Sequence, residues 1–287
     1  MTDLLVRGVG AQALVQDLGR PGHLALGVTG SGAMDMGSAA LGNRLVGNAP
    51  EAAVIEALLG GLAIEVAGGD AWCAVTGTDA RVTVDGGECG PNAPFHLARG
   101  SVVRIGVPMR GMRAYLAVRG GIDVPVVLGS RSTDLLSGLG PVPVAVGHRL
   151  SIGRAQGVWQ PVDGAPAAPA PAEGELLRIG VRLGPRDDWL RQVDELLTRT
   201  WTVDARQDRV GMRLGGEPLA LAFGQQLASE GTIAGAVELP PDGLPYVLMR
   251  DHPVTVGYPV VAVVDPEGID RLAQARPGCL VRFTSLR

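Results

Sequence analysis

Residues 81–87 read Arg-Val-Thr-Val-Asp-Gly-Gly: four residues that alternate polar and apolar, then a turn. A period of two sends successive side chains to opposite faces of an extended strand, whereas a helix repeats near 3.6. Asp-Gly suits the two central positions of a hairpin turn, where φ is positive. The segment therefore reads as a strand that turns back antiparallel on a neighbour. Working outward, short apolar runs of the same kind recur at 62–66, 72–76, 101–105 and 113–118, each bounded by glycine. With 43 Gly and 21 Pro in 287 residues the chain turns too often for long helices. Only 3% of residues are aromatic, so Val, Leu, Ile and Ala must fill the core, and Val and Ile suit pleated strands. The expectation is a mainly β fold with a few short helices.

One helix is expected at 34–45, where Leu41 and Leu45 share a face and Gly47 suits a left-handed end. The stretch 160–175, QPVDGAPAAPAPAEGE, alternates Pro and Ala and has little to bury, so it reads as a linker or long surface loop. The expected organisation is a lobe at 1–157, this linker at 158–175 and a second lobe at 176–287. The second lobe opens with a strand at 176–183. A helix over 189–200 follows, with Trp189, Val193, Leu196 and Leu197 on one face. Strands are expected near 237–239, 245–249, 260–264 and 280–283, and a short helix near 268–275. A weak internal echo joins the lobes: Gln16-Asp17-Leu18-Gly19-Arg20 resembles Gln207-Asp208-Arg209-Val210-Gly211.

Composition excludes several function classes. The net charge is -4, without the basic face that nucleic acid requires. All 25 basic residues are Arg, so no lysine Schiff base forms here and no lysine carries biotin. Cys73, Cys89 and Cys279 are scattered, which fits a reducing cytoplasm and gives no metal site. The N-terminal residues lack the apolar core of a signal peptide, and no apolar run is long enough to span a membrane. There is no GxSxG elbow, no Walker loop and no HExxH.

What remains is a set of polar motifs. In Gln16–His23, Asp17 and Arg20 are spaced to form a bidentate pair that fixes a loop; alternatively Arg20 binds a substrate carboxylate. Ser31 or Asp35 can cap the following helix, whose free N–H groups can also hold an anion. Asn43, Asn48 and Glu56 need partners if buried, and can satisfy one another. Ser130-Arg131-Ser132-Thr133-Asp134 gathers three hydroxyls, a guanidinium and a carboxylate, either as an anion cradle or as a self-capped turn. In the second lobe, Glu230 and Asp251-His252-Pro253 with Thr255 and Tyr258 offer acid–base groups, although a lone His beside a turn proline is commonly structural.

Taken in order, QDLGRPGHLALGV, SGAMD, NRLVGN, AYLAVRGGIDVPVVLGSRSTD, RVGMRL, SEG, PPDGLP and DHPVTVGYP span nearly the whole chain. Together they resemble the family of the 5-oxoprolinase C component and allophanate hydrolase subunit 2, which is biotin-dependent carboxyltransferase-like; the stretch 114–134 is the most specific. The resemblance implies two tandem cyclophilin-like β-barrel lobes. It also implies a smaller companion protein of the B type, in 5-oxoprolinase an A-type component as well, and ATP-dependent hydrolysis of 5-oxo-L-proline to L-glutamate by the hetero-oligomer. Two positions depart from the family pattern: Val256 precedes Gly257-Tyr258 where Gly is usual, and Glu238 stands where Gln is usual.

A lactam is a poor electrophile, so ring opening needs an activated amide oxygen, a group for the substrate carboxylate and a carboxylate to orient water. The candidate catalytic residues are Asp35, Asp134, Glu230 and His252. The candidate substrate-binding residues are Gln16, Arg20, Arg131, Ser132, Thr133 and Tyr258, and no metal is expected. ATP is expected to be consumed by the complex without a P-loop here. Two alternatives stand beside this reading. In one, the chain performs carboxyl transfer in a urea or allophanate system, with biotin supplied by a separate carrier. In the other, it is a non-catalytic partner of a B-type inhibitor protein.

Overall fold

A computed structural model of the chain describes residues 2–166, 169–224 and 227–286. Among the described residues it is mainly β with three short α-helices, and it divides into two units. The first runs through residue 20 and from 31 to 170; the second takes 21–30 and everything from 171 onward. Ala167 and Ala168 of the Pro/Ala stretch lie outside the described residues.

In chain order the first unit contains β1 (Asp3–Gly8), β2 (Gln12–Gln16), α1 (Met36–Leu45), β3 (Val54–Leu58), β4 (Ala63–Ala67), β5 (Ala71–Thr76), β6 (Val82–Val84), β7 (Gly87–Cys89), β8 (Pro94–Leu97), β9 (Val102–Ile105), β10 (Arg113–Val118), β11 (Ile122–Asp123) and β12 (Arg149–Ile152). They form a seven-stranded sheet, β11-β12-β1-β4-β9-β6-β7, and a five-stranded sheet, β2-β3-β10-β5-β8. The hairpin read at 81–87 is there, with Val84 opposite Gly87 across the Asp85-Gly86 turn. The inner faces of both sheets meet in one apolar core that includes Leu4, Ile64 and Val103 from the first sheet and Val15, Ile55 and Leu116 from the second. The five-stranded sheet also has a covered outer face. There Ala39 and Leu45 of α1 pack on Val54, Ala74, Tyr115 and Ala117. With both faces covered, every residue of β10 is buried, which explains the run Ala114–Val118 that follows Arg113.

The second unit contains β13 (Leu176–Leu183), α2 (Val193–Thr198), β14 (Trp201–Gln207), β15 (Gly211–Gly215), β16 (Glu230–Gly231), β17 (Ala236–Glu238), β18 (Tyr246–Leu248), β19 (Thr255–Val256), β20 (Val260–Val264), α3 (Pro266–Ala273) and β21 (Leu280–Ser285). Seven of these strands close a barrel in the order β13-β20-β17-β18-β15-β14-β21, and the parallel pair β13–β21 completes it. β16 and β19 form a separate two-stranded ribbon.

The helix expected over 189–200 is shorter than the apolar spacing suggested. Trp189 ends a 3-10 turn (Asp187–Trp189), Leu190 is extended and bridges Leu221, and α2 starts only at Val193. Trp189 packs edge-on against Phe223 instead, with centroids 5.3 Å apart. The start of the 158–175 segment docks on the first unit: Trp159 lies edge-on to Trp72 at 5.2 Å and under the Arg119 guanidinium at 5.1 Å.

Candidate functional site

The densest buried polar cluster lies in the first unit, where β2 runs out into residues 17–20. Asp17 is 8% exposed, and its carboxylate accepts four hydrogen bonds. Oδ1 receives Ser132 Oγ at 2.5 Å, Ser130 Oγ at 2.6 Å and Gly19 N at 2.7 Å. Oδ2 receives Arg131 N at 2.6 Å. Asp17 N in turn donates to Ser132 Oγ at 3.0 Å. One carboxylate thus organises the whole 130–132 segment. The segment 31–33 closes over it, with Ala33 N donating to Asp17 O at 2.8 Å. That approach requires glycine at 32, since a Cβ there would stand 2.9 Å from the Leu18 carbonyl carbon and φ is +99°.

Arg20 does not pair with Asp17 as their spacing suggested. Its guanidinium donates to Ser132 O and Val127 O, and it approaches Asp134 at 3.9 Å with both side chains fully buried. Asp134 caps its own turn, accepting from Leu136 N at 2.9 Å and from the Ser137 hydroxyl. Gln16 Nε2 donates to Thr133 O at 2.8 Å. Gln16, Arg20, Ser132, Thr133 and Asp134 are therefore brought together. Arg131 joins only through its backbone, because its guanidinium reaches Val124 O at 3.0 Å and Asp123 at 3.3 Å.

Three buried polar atoms here have no hydrogen-bond partner among the described residues: Gln16 Oε1, Arg20 Nη1 and Thr133 Oγ1. Buried polar groups are normally paired, so such atoms call for an explanation.

Asp35 serves as the N-cap of α1, accepting Ser38 N at 2.8 Å and Ser38 Oγ at 2.6 Å. Asp35 N donates to Tyr115 Oη at 2.8 Å, and Met34 N donates to Glu56 Oε2 at 2.8 Å. Burial, together with the nearby Glu56 and Asp35 charges, holds the Tyr115 phenol well above its ordinary range. Asn48 Nδ2 donates to Asn43 Oδ1 at 3.0 Å, but the rest of both amides is satisfied by backbone: Asn43 Nδ2 donates to Ala52 O at 2.7 Å and Asn48 Oδ1 accepts Gly120 N at 2.8 Å.

The second-unit candidates gather around the β16–β19 ribbon. Glu230 is held by Arg186 through two hydrogen bonds, which keep its carboxyl below the usual range. His252 is buried, with Nδ1 2.8 Å from Pro253 O and 3.3 Å from Thr232 Oγ1. Tyr258 is 46% exposed. Beneath them, Arg209 meets Asp251 in a buried bidentate pair, Nε–Oδ2 2.8 Å and Nη2–Oδ1 3.0 Å.

The sequence echo is also an echo of structure. Each Gln amide reaches a distant carbonyl, Thr133 O in one unit and Ala275 O (3.2 Å) in the other. Each Asp holds its own turn, Asp17 through Gly19 N and Asp208 through Gly211 N at 3.0 Å. Each Arg runs to a remote Asp, Asp134 or Asp251.

Comparison with known proteins gives this arrangement a family. A model described as carboxyltransferase domain, subdomain A and B, matches residues 26–285. The chain belongs to this carboxyltransferase family. It is 35% identical to the C component of 5-oxoprolinase from Escherichia coli K12, over 96% of this chain and 88% of that protein. The crystal structure of TTHA0988 superposes with a TM-score of 0.90 at 35% identity; the match covers 99% of this chain but 56% of that one, so the chain spans about half its length. The Kluyveromyces lactis urea amidolyase gives a TM-score of 0.92 at 28% identity, over 99% of this chain and 19% of that one.

For this carboxyltransferase-family chain, sequence reasoning pairs Asp17 with Arg20 and so misses it as the organiser of the loop. It also misses Glu238 as a site of altered acidity. Glu238 is 3% exposed, its Oε1 has no hydrogen-bond partner among the described residues, and burial pushes its carboxyl up to about 7. An acidic residue inside an apolar strand was the available signal. Among the described residues no group of three or more His, Cys, Asp or Glu is placed to hold a metal, and no helix is long and apolar enough to cross a membrane.

Proposed function

We propose that the chain is one component of an ATP-dependent 5-oxoprolinase, acting in the cytoplasm with a B-type companion protein and an A-type component to hydrolyse 5-oxo-L-proline to L-glutamate. The observation that carries this reading is the set of buried atoms in the first unit that lack a hydrogen-bond partner among the described residues. Gln16 Oε1 is an acceptor, Arg20 Nη1 a cationic donor, and Thr133 Oγ1 can be either. An amide offers the complement: an N–H for Gln16 and a carbonyl oxygen for Arg20 or Thr133. A lactam is such a group. The match to the 5-oxoprolinase C component over 88% of that protein supports the same choice.

The cluster does not fit a nucleotide triphosphate. Ser130 Oγ, Ser132 Oγ and Arg131 N already donate to Asp17, and the Arg131 guanidinium is engaged by Asp123 and Val124. ATP is accordingly assigned to the companion proteins. Carboxyl transfer is the second reading, favoured by the fold match to urea amidolyase. With no lysine in the chain, biotin would arrive on a separate carrier.

The test is ATP-dependent release of glutamate from 5-oxoproline by this chain with its A-type and B-type companions, each omitted in turn. The reading expects loss of turnover when this chain is left out; an unchanged rate removes it from the reaction.

A further inference from the structure

Glu238 ends β17 on the outer face of the barrel. Its register partners are Tyr246 on β18 and Val260 on β20. Ala236, two residues back and on the same face, packs with Leu248 and Val260, and Val256 of the β16–β19 ribbon lies against this patch. The carboxyl therefore sits in an apolar pocket that the ribbon helps to roof. The titratable and charged groups facing it are few. β18 contributes Tyr246. Beyond Tyr246 on β15 is Arg213, which pairs with Asp242, and Asp208 acts with Glu238 on the Tyr246 phenol. β20 and β19 present Val260 and Val256, which carry no charge. Among the described residues no cation pairs with Glu238, and one of its oxygens bonds nothing.

A neutral carboxylic acid tolerates such a pocket. A carboxylate needs water or a cation, and the ribbon's Val256 is part of the apolar cover over this patch. We propose that Glu238 is a proton-operated latch on the β16–β19 ribbon: with the acid protonated the ribbon stays packed on Val260 and Leu248, and ionisation lifts it. The ribbon carries Glu230 and runs beside Thr232 and His252, so opening alters the surroundings of all three. The direction is fixed by the chemistry, with the ribbon closed in mild acid and loosened in mild alkali.

Hydrogen exchange on the full-length chain, read by mass spectrometry at pH 6 and pH 8 for peptides covering 228–258, tests this. If the closed form titrates near 7 and the open form like a free glutamate, linkage raises the opening equilibrium by about tenfold between those pH values. After correction for intrinsic chemical exchange, wild type should show that increase in the ribbon amides and not in β13 or β21. Glu238→Gln and the apolar Glu238→Met should both abolish it. An increase that persists in the variants, or none in wild type, overturns the latch. Should neither variant fold, wild type decides alone: the exchange midpoint must coincide with the Glu238 carboxyl titration in carbon-13 NMR spectra, and a mismatch refutes the proposal.

Discussion

Asp17→Asn should destabilise the first unit by about 3–5 kcal/mol, a large share of the stability of a typical domain. The carboxylate accepts four donors while 8% exposed. An asparagine can keep its carbonyl oxygen at the Oδ1 position, facing Ser130, Ser132 and Gly19. Its –NH2 then meets the Arg131 N–H, donor against donor. One charge-assisted hydrogen bond is lost, worth about 1.5–3 kcal/mol, and a buried donor is left unsatisfied, at about 1–3 kcal/mol. Turning the amide over does not help, because its –NH2 then meets the Gly19 N–H and both serine hydroxyls lose their acceptor. Ser130→Ala removes one donor to Asp17 and also strands the buried Ser132 N–H that Ser130 Oγ accepts at 2.9 Å, but sets no donor against donor, so about 2 kcal/mol is expected. Urea denaturation of the purified chain measures both, and hydrogen exchange over 127–140 should show the loop loosened more in Asp17→Asn than in Ser130→Ala. An Asp17→Asn cost below about 1 kcal/mol, or one equal to that of Ser130→Ala, would refute the view that this carboxylate organises the loop.

Removing Asp251 as Ala takes the bidentate carboxylate from a buried guanidinium and should cost about 3–5 kcal/mol, whereas the double change Arg209→Met, Asp251→Leu should recover most of that, again by denaturation. Gly140→Ala would put a Cβ 2.0 Å from Ser132 O at a φ of +85°; glutamate release by the assembled complex should fall at least tenfold while the second unit keeps its near-UV signature. The folded Glu238 acid titrates near 7 against an ordinary 4.5, so native protein holds more protons than unfolded protein between those values, and stability falls as pH rises through that window. Glu238→Gln should therefore lose this slope and gain up to about 3 kcal/mol relative to wild type between pH 4.5 and 7, read from denaturation midpoints across pH.

Where structure was legible in the sequence, the cause was local. β13 occupies the residues expected from its pattern, and the Asp85-Gly86 turn pairs the strands that its chemistry demands. Asp35 begins α1 because a side chain three residues from Ser38 N can reach it. Failures came where a distant residue outcompeted a near one. Leu190 left the helical path for Leu221, 31 positions on. Asp17 ignored Arg20 for Ser130 and Ser132, more than a hundred residues away. Arg131, the guanidinium favoured for an anion, turned to Asp123. Glu238 needed strand register, which places Val260 and Tyr246 beside it. No spacing rule encodes these choices, because they are made by the sheets.

The two copies of the Gln-Asp motif differ in a way that bears on function. In the second unit the motif closes on itself: Arg209 meets Asp251 through two short hydrogen bonds, and no side-chain atom of Gln207, Arg209 or Asp251 is buried without a partner. In the first unit the same plan is left open: Arg20 stands 3.9 Å from Asp134, and an acceptor and two possible donors go unused among the described residues. A device serving only stability has no reason to be worse satisfied in one copy, since each unpaired buried group costs about 1–3 kcal/mol. Selection tolerates such a cost where the atoms have other work, because strained or unsatisfied groups concentrate at functional sites. The complete copy shows what the motif does for the fold, and the incomplete copy marks where a ligand would finish it. Arg20→Met separates the two roles: if Arg20 Nη1 serves substrate, turnover by the assembled complex should collapse while the chain loses less stability than Asp17→Asn, and full turnover in that variant would return the first-unit motif to a purely structural role.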